Sequence, residues 1–302
     1  MKNIILHLAT FFLIACGNNE NTNRRIDSPK NGTINISVDE SFKPVIDEQL
    51  KMYKSTFPNT NIIVHYKSEV DCLKDLLKDS TRLIIISRGL TQNEINYFKT
   101  TLSFKPQFDV VAYDAVAAII NKENDDSLFT ISDLKNTLSG KKDYKVILDG
   151  TNATSTVKYL QDSVLKGAKF GKNVVAVNGS EAVIEAIKNT KNAIGFVGNS
   201  WVSNEYDETQ IQNLQQMKLA LIECFNCGDK GFFAKASQAT LSFGQYPLAR
   251  PLYFIVKENW TGLGTGFTNF LSLERGQLIF RRSCLAPAKI NLNKRSGSLS
   301  DK

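Results

Sequence analysis

The sequence predicts an α/β protein of two lobes, built on mostly parallel sheets with a hinge cleft between them. Three observations carry that expectation. From about residue 33, short β-branched runs alternate with amphipathic stretches, the pattern of strand–helix–strand units whose strands pair in parallel. The alternation restarts near residue 119, and a late apolar strand returns at 251–256. At 302 residues with 42% hydrophobic side chains, the chain can fill two cores of ordinary composition.

The elements follow in order. Residues 33–38 form the first strand. Ser41 caps a helix that reaches about residue 57 through Val45, Ile46, Leu50 and Tyr53, with Pro44 tolerated in its first turn. A strand at 61–66, a helix at 70–77 and a fully apolar strand at 83–86 come next, and Thr91 and Glu94 have capping-box spacing for another helix. Two strands, 108–113 and 115–120, lead toward the second lobe. There Ser132 caps a short helix, 145–148 is a strand, and Thr154 or Ser155 opens a helix through Val157, Leu160 and Val164. Residues 174–177, a helix at 181–188 capped by Ser180, and 193–197 make one strand–helix–strand unit. A strand at 219–223, the returning strand and a last helix at 266–280 complete the series. Gly262, Gly264 and Gly266 lack the GxGxxG spacing of a nucleotide loop and read as a turn before that helix. The expected organisation is a leader at 1–15, a tether at 16–32, and lobe 1 at 33–118 with a return over 246–290. Lobe 2 takes 119–245 and a flexible tail 291–302, with crossings at 113–119 and 246–253.

The leader is an apolar run of about a dozen residues after Lys2, short of the ~20 needed to span a bilayer. Leu13-Ile14-Ala15-Cys16 closes it and resembles the lipobox of bacterial lipoproteins, which implies a diacylglyceryl group on Cys16 and a membrane anchor with the body outside the cytoplasm. The formal charge of +7 comes from 37 Lys and Arg against 30 Asp and Glu, with much of the excess at the chain ends. No basic stripe with interleaved aromatics appears, so nucleic acid is excluded as a partner. Cys224 and Cys227 have CxxC spacing, read as a disulfide or two buried thiols; a zinc site would want a second ligand pair. No metal or cofactor is expected. HExxH and GxxxxGK[ST] do not occur, and His65 sits inside a strand pattern as a structural residue, so catalysis is not expected.

Small hydroxyl residues do recur at strand-to-helix junctions: Ser41, Ser87, and Thr154, Ser155 and Thr156. Free N–H groups and hydroxyls at such places favour an anion, and Arg88 adds a permanently charged fork. The order of segments resembles the phosphate-binding proteins of ABC importers, a family of type II periplasmic-binding-protein fold. The matching pieces are Asp39-Glu40-Ser41-Phe42-Lys43-Pro44, the run from Ile86 to Glu94, and the strand from Tyr113 to Asn121. Thr154-Ser155-Thr156, the strand from Ala193 to Val197, the run from Tyr246 to Tyr253 and Gly276-Gln277 follow. The resemblance implies that Ser41 and Phe42 form the first anion-binding pair, that Ser87 and Arg88 form the second segment, and that Thr154, Ser155 and Thr156 form the loop of the second lobe. Two positions depart from the family. Arg88 stands where an acidic residue accepts the proton of monohydrogen phosphate, and Leu148-Asp149-Gly150 stand where an arginine precedes the loop. Arg88 is therefore expected to supply the charge, with Asp114 or Asp39 as proton acceptor. The resemblance further implies a monomer, closure on the anion, and an ABC permease as partner. Another oxyanion as ligand, an adaptor or sensor without transport, and a phosphoester hydrolase are the alternatives the same residues leave open.

Overall fold

The computed structural model of the chain describes residues 27–151, 154–228 and 231–290. The leader, Cys16, most of the tether and the tail at 291–302 lie outside the described residues.

The first half of the chain lays down β1 (Gly32–Asp39), α1 (Lys43–Thr56), β2 (Thr60–Lys67), α2 (Glu69–Leu76), β3 (Thr81–Ile86), α3 (Gln92–Leu102) and β4 (Gln107–Asn121). The second lobe adds β5 (Leu128–Phe129), α4 (Ile131–Leu138), β6 (Lys145–Leu148), α5 (Ser155–Tyr159), β7 (Val174–Ala176), α6 (Gly179–Lys188) and β8 (Ala193–Gly198). After α7 (Glu208–Asn213) come β9 (Met217–Leu219), β10 (Leu221–Glu223), β11 (Phe233–Ala234) and α8 (Gln238–Ser242). The chain then returns through β12 (Ala249–Val256), α9 (Leu263–Ser272), α10 (Glu274–Arg282) and β13 (Ala286–Pro287).

The main sheet runs β2-β1-β3-β12-β4-β8-β6-β7, with β9 and β13 also paired to β4. β1 is parallel to β2 and β3, and β6 is parallel to β7 and β8, so each lobe has its own parallel set. β4 and β12 lie between them, and β12 is antiparallel to both β3 and β4. One core gathers Ile36, Val38, Phe42, Leu83, Leu252 and Phe267, a second Ala117, Ile119, Ile147, Val183, Phe196 and Tyr246, and a third, smaller one Cys72, Leu76, Ile84, Ile86 and Phe98. Because hydroxyl-bearing junctions follow the C-terminal ends of β1, β3 and β6, the carboxyl edges of both parallel sets present their loops toward the place where the lobes meet.

Several local expectations are corrected. The two strands expected at 108–113 and 115–120 are one, β4, whose first part pairs with β12 and whose second pairs with β8. Asp114, between those two runs, has its charge met by Arg250, and the strand continues through it. Ser41 caps nothing: the Asp39 carboxylate accepts from the Ser41 N–H and opens a short 3-10 turn ahead of α1. Thr130, not Ser132, caps α4 in a box with Asp133, and Ser180 lies inside α6 instead of capping it. The single helix expected at 266–280 is two, α9 and α10, divided at the extended Leu273. Gly264 and Gly266 are within α9, where a Cβ would lie 2.6 Å from the Glu258 carboxylate and from Pro29 respectively; close packing, not a turn, calls for glycine. The strand expected at 219–223 splits between β9 in the main sheet and β10 in a small separate one. The described end of the tether is packed down, with Asp27 paired to Arg82 at 2.8 and 2.9 Å and accepting from the Leu263 N–H. Cys224 and Cys227 are joined as a disulfide.

Candidate functional site

The lobes meet at a polar cluster whose centre is Arg250. The arginine lies on β12 directly opposite Asp114 on β4, and both side chains are essentially excluded from solvent. Arg250 Nε and Nη2 donate to Asp114 Oδ2 at 3.0 and 2.9 Å, and Nη1 donates to Ser155 Oγ at 2.9 Å. Its guanidinium stacks 4.8 Å over the Phe42 ring. A buried arginine is tolerated only when its donors are met and its charge is paired, and here both hold.

From lobe 1, the turn after β1 delivers Asp39, Glu40 and Ser41. Ser41 Oγ lies 3.2 Å from Ser155 Oγ and 3.3 Å from Thr156 Oγ1 of the second lobe. The Ser155 hydroxyl donates to Asp39 Oδ1 at 3.0 Å, and the Ser155 N–H approaches Asp39 Oδ2 at 3.4 Å. Glu40 reaches farther, accepting from the Ser180 N–H at 3.1 Å and the Ser180 hydroxyl at 2.9 Å in the first turn of α6. Trp201 Nε1 donates to the Glu40 carbonyl and Ser200 Oγ to the Ser41 carbonyl. Backbone contact is closest at Gly198, where a Cβ would stand 2.4 Å from the Ser41 carbonyl oxygen, so that position admits no side chain.

The sequence-predicted residues fall into two groups. Ser41, Phe42, Asp114, Ser155 and Thr156 come together in this cluster and are buried. Thr154 stands beside it as the cap of α5, its hydroxyl donating to Asp149 Oδ1 at 2.7 Å. Ser87 and Arg88 are committed elsewhere. The N–H and hydroxyl of Ser87 both donate to Glu69, and the Arg88 fork takes the two oxygens of Glu94 at 2.9 and 2.8 Å. The cation of this cluster is Arg250, while Arg88 is paired with Glu94. A signal for Arg250 was present: it lies in strand phase with the apolar Leu252 and Phe254, and a charge at an inward position needs a buried partner.

Electrostatically the cluster is acidic. The Arg250 guanidinium pairs with Asp114 and acts on Asp39 and Asp149, while Glu69 repels Asp39, and Asp39 and Asp149 repel Glu40. Burial raises the Asp39 and Asp114 carboxyls against the pull of Arg250. Burial also lifts Glu40 to about 7 and Asp149 to about 6, opposed by hydrogen bonds from Ser180 and Thr154. No group of His, Cys, Asp and Glu among the described residues is arranged to hold a metal ion.

A family model described as a PBP superfamily domain matches residues 23–274. A Pseudomonas aeruginosa protein named phosphate-binding protein PstS is 25% identical over 231 residues, covering 68% of this chain and 66% of its own length. A Borreliella burgdorferi protein of the same name is 22% identical over 222 residues, covering 68% of this chain and 74% of its own. Among solved structures, a Clostridium perfringens protein described as a putative phosphate ABC transporter substrate-binding protein with bound phosphate superposes with a TM-score of 0.70. It is 21% identical and covers 85% of this chain and 100% of that one. Two lobes of parallel strands crossed by β4 and β12, together with a family match that spans most of the chain, place this protein in the PBP superfamily, with a periplasmic-binding-protein type of fold.

Proposed function

We propose that the chain is a lipid-anchored, extracytoplasmic solute-binding protein that captures phosphate for an ABC-type importer and performs no chemistry on it. The observation that carries this reading is the convergence of neutral donors from both lobes on one cation. Ser41 comes from lobe 1, Ser155 and Thr156 from lobe 2, and Arg250 reaches Ser155 from the strand that connects the lobes. A tetrahedral oxyanion needs donors from several directions, and hydroxyls provide them without the cost of further buried charge. In this assignment Ser41, Thr154, Ser155 and Thr156 supply hydroxyls, Phe42 forms the wall under the guanidinium, and Asp114 orients Arg250. Ser87 and Arg88 hold the neighbouring loop. The names borne by the relatives support phosphate as the ligand, and the lipobox at Cys16 supports the anchor. An ABC permease is the partner such a role requires, and a monomer is the form that would dock on it.

A second reading is an adaptor or sensor that keeps the fold without transport, favoured by the excess of carboxylates over cations in the cluster. Calorimetric titration separates the two. The protein is unfolded and refolded to strip bound anion, then titrated with phosphate, sulfate, arsenate and molybdate near neutral pH. One-to-one phosphate binding that is lost in Arg250→Ala is the expected result. Equal binding by that variant would sink the site assignment, and no heat from any anion would establish the adaptor.

A further inference from the structure

Two lobe-1 carboxylates reach across the cleft and take donors of lobe 2. Asp39 accepts the hydroxyl and the N–H of Ser155 while holding the Ser41 N–H of its own turn. Glu40, its neighbour, receives the Ser180 N–H and hydroxyl on its two separate oxygens. The second of these lies in the first turn of a ten-residue helix, whose unpaired N–H groups favour negative charge. Gly179 allows the approach: its φ is +84°, and a Cβ there would stand 3.3 Å from Glu40 Oε1. The Ser155 hydroxyl used by Asp39 is the same one proposed for the oxyanion.

We infer that Asp39 and Glu40 are a built-in substitute for the ligand, an internal pair of carboxyl groups that draws the lobes together through donors of lobe 2, with Asp39 competing with phosphate for Ser155. Closure by the pair does not require the phosphate reading; the competition for Ser155 rests on it. The charged groups facing the pair pull in both directions. Glu69 of α2 and Asp149 after β6 repel Asp39, Arg250 of β12 attracts it, and Asp114 of β4 occupies the rest of that arginine. The hydrogen-bonded contacts of both acids therefore include the opposite lobe, so opening the cleft removes the Ser155 and Ser180 donors and leaves Asp39 beside Glu69 on lobe 1, while it takes Asp149 away. A binding protein of this kind rests closed and has to exchange one anion for another, where a cleft lined only by neutral donors would rest open.

The test is small-angle scattering on the purified protein stripped of anion, compared with the variants Asp39→Ala/Glu40→Ala and Ser180→Ala. The wild type is expected to have the same radius of gyration with and without phosphate, and both variants to be larger without it. Unfolding of the double variant would be visible by circular dichroism, and Ser180→Ala, which leaves both acids in place, then carries the comparison. A wild type that shrinks on adding phosphate, or folded variants no larger than the wild type, overturns the proposal. The readout on stripped protein stands even if phosphate never binds, whereas failure of the phosphate reading shows as silence in calorimetry. Where phosphate does bind, Asp39→Ala should tighten it by about tenfold or more, since one charge-assisted hydrogen bond no longer competes. Weaker binding by that variant would mean Asp39 serves the anion directly and would overturn the competition.

Discussion

Arg88 and Arg250 each hold a carboxylate through two guanidinium nitrogens, yet the two pairs do opposite things. Arg88 and Glu94 keep 28% and 31% of their side-chain exposure, whereas Arg250 and Asp114 keep 1% and 0%. In the first pair the arginine's hydrogen bonds dominate and hold Glu94 down at about 2. In the second, burial dominates and raises Asp114 despite the same kind of partner. Water at the surface keeps the charged form cheap, and the cleft removes that solvation. One arginine therefore trims a helix start, while the other is the cation around which the lobes are assembled.

Removing each arginine breaks the comparison directly. Arg250→Ala strands Asp114 without its counter-charge in a dry site, and about 3–5 kcal/mol of stability should be lost. Chemical denaturation measures it; a loss no greater than that of a surface pair would mean that the cleft is wetter than its burial indicates.

A pH series sharpens the contrast, because the two regions titrate with opposite sign. Glu40 and Asp149 have carboxyls raised to about 7 and about 6, so their contribution is full below their unfolded values and is lost as pH rises through those numbers. Glu94 is depressed, so its contribution is present above its unfolded value and is lost as pH falls toward about 2. Melting temperature should therefore fall on both sides of a mildly acidic optimum. Glu40→Gln should flatten the alkaline limb and leave the acid limb in place; an unchanged alkaline limb would remove Glu40 from the account. The smallest effect belongs to Arg88→Ala, expected to cost no more than about 1 kcal/mol by the same denaturation measurement. Anion binding should survive it, and loss of phosphate binding in that variant would return Arg88 to the site.

How much was legible in advance follows from the range of the interactions. The Thr91–Glu94 capping box, the strand at 145–148 and the two-lobed α/β plan depend on neighbours within a few residues or on hydrophobic period, and all were readable. Ser41, Ser155 and Thr156 were recognisable as donors at junctions, but not as mutual neighbours across more than a hundred residues. The roles of Arg88, which follows β3, and Arg250, which lies within β12, could not be told apart from residue type, since each is a permanent cation.

By itself, then, the sequence determined the α/β alternation, most of the strands and the hydroxyls at strand ends, because these rest on propensity and hydrophobic period. Only the tertiary structure decided which cation meets which anion. Burial sets the worth of a charge, and burial exists only once β4 and β12 have brought Asp114 opposite Arg250 and closed Asp39 and Glu40 onto the second lobe.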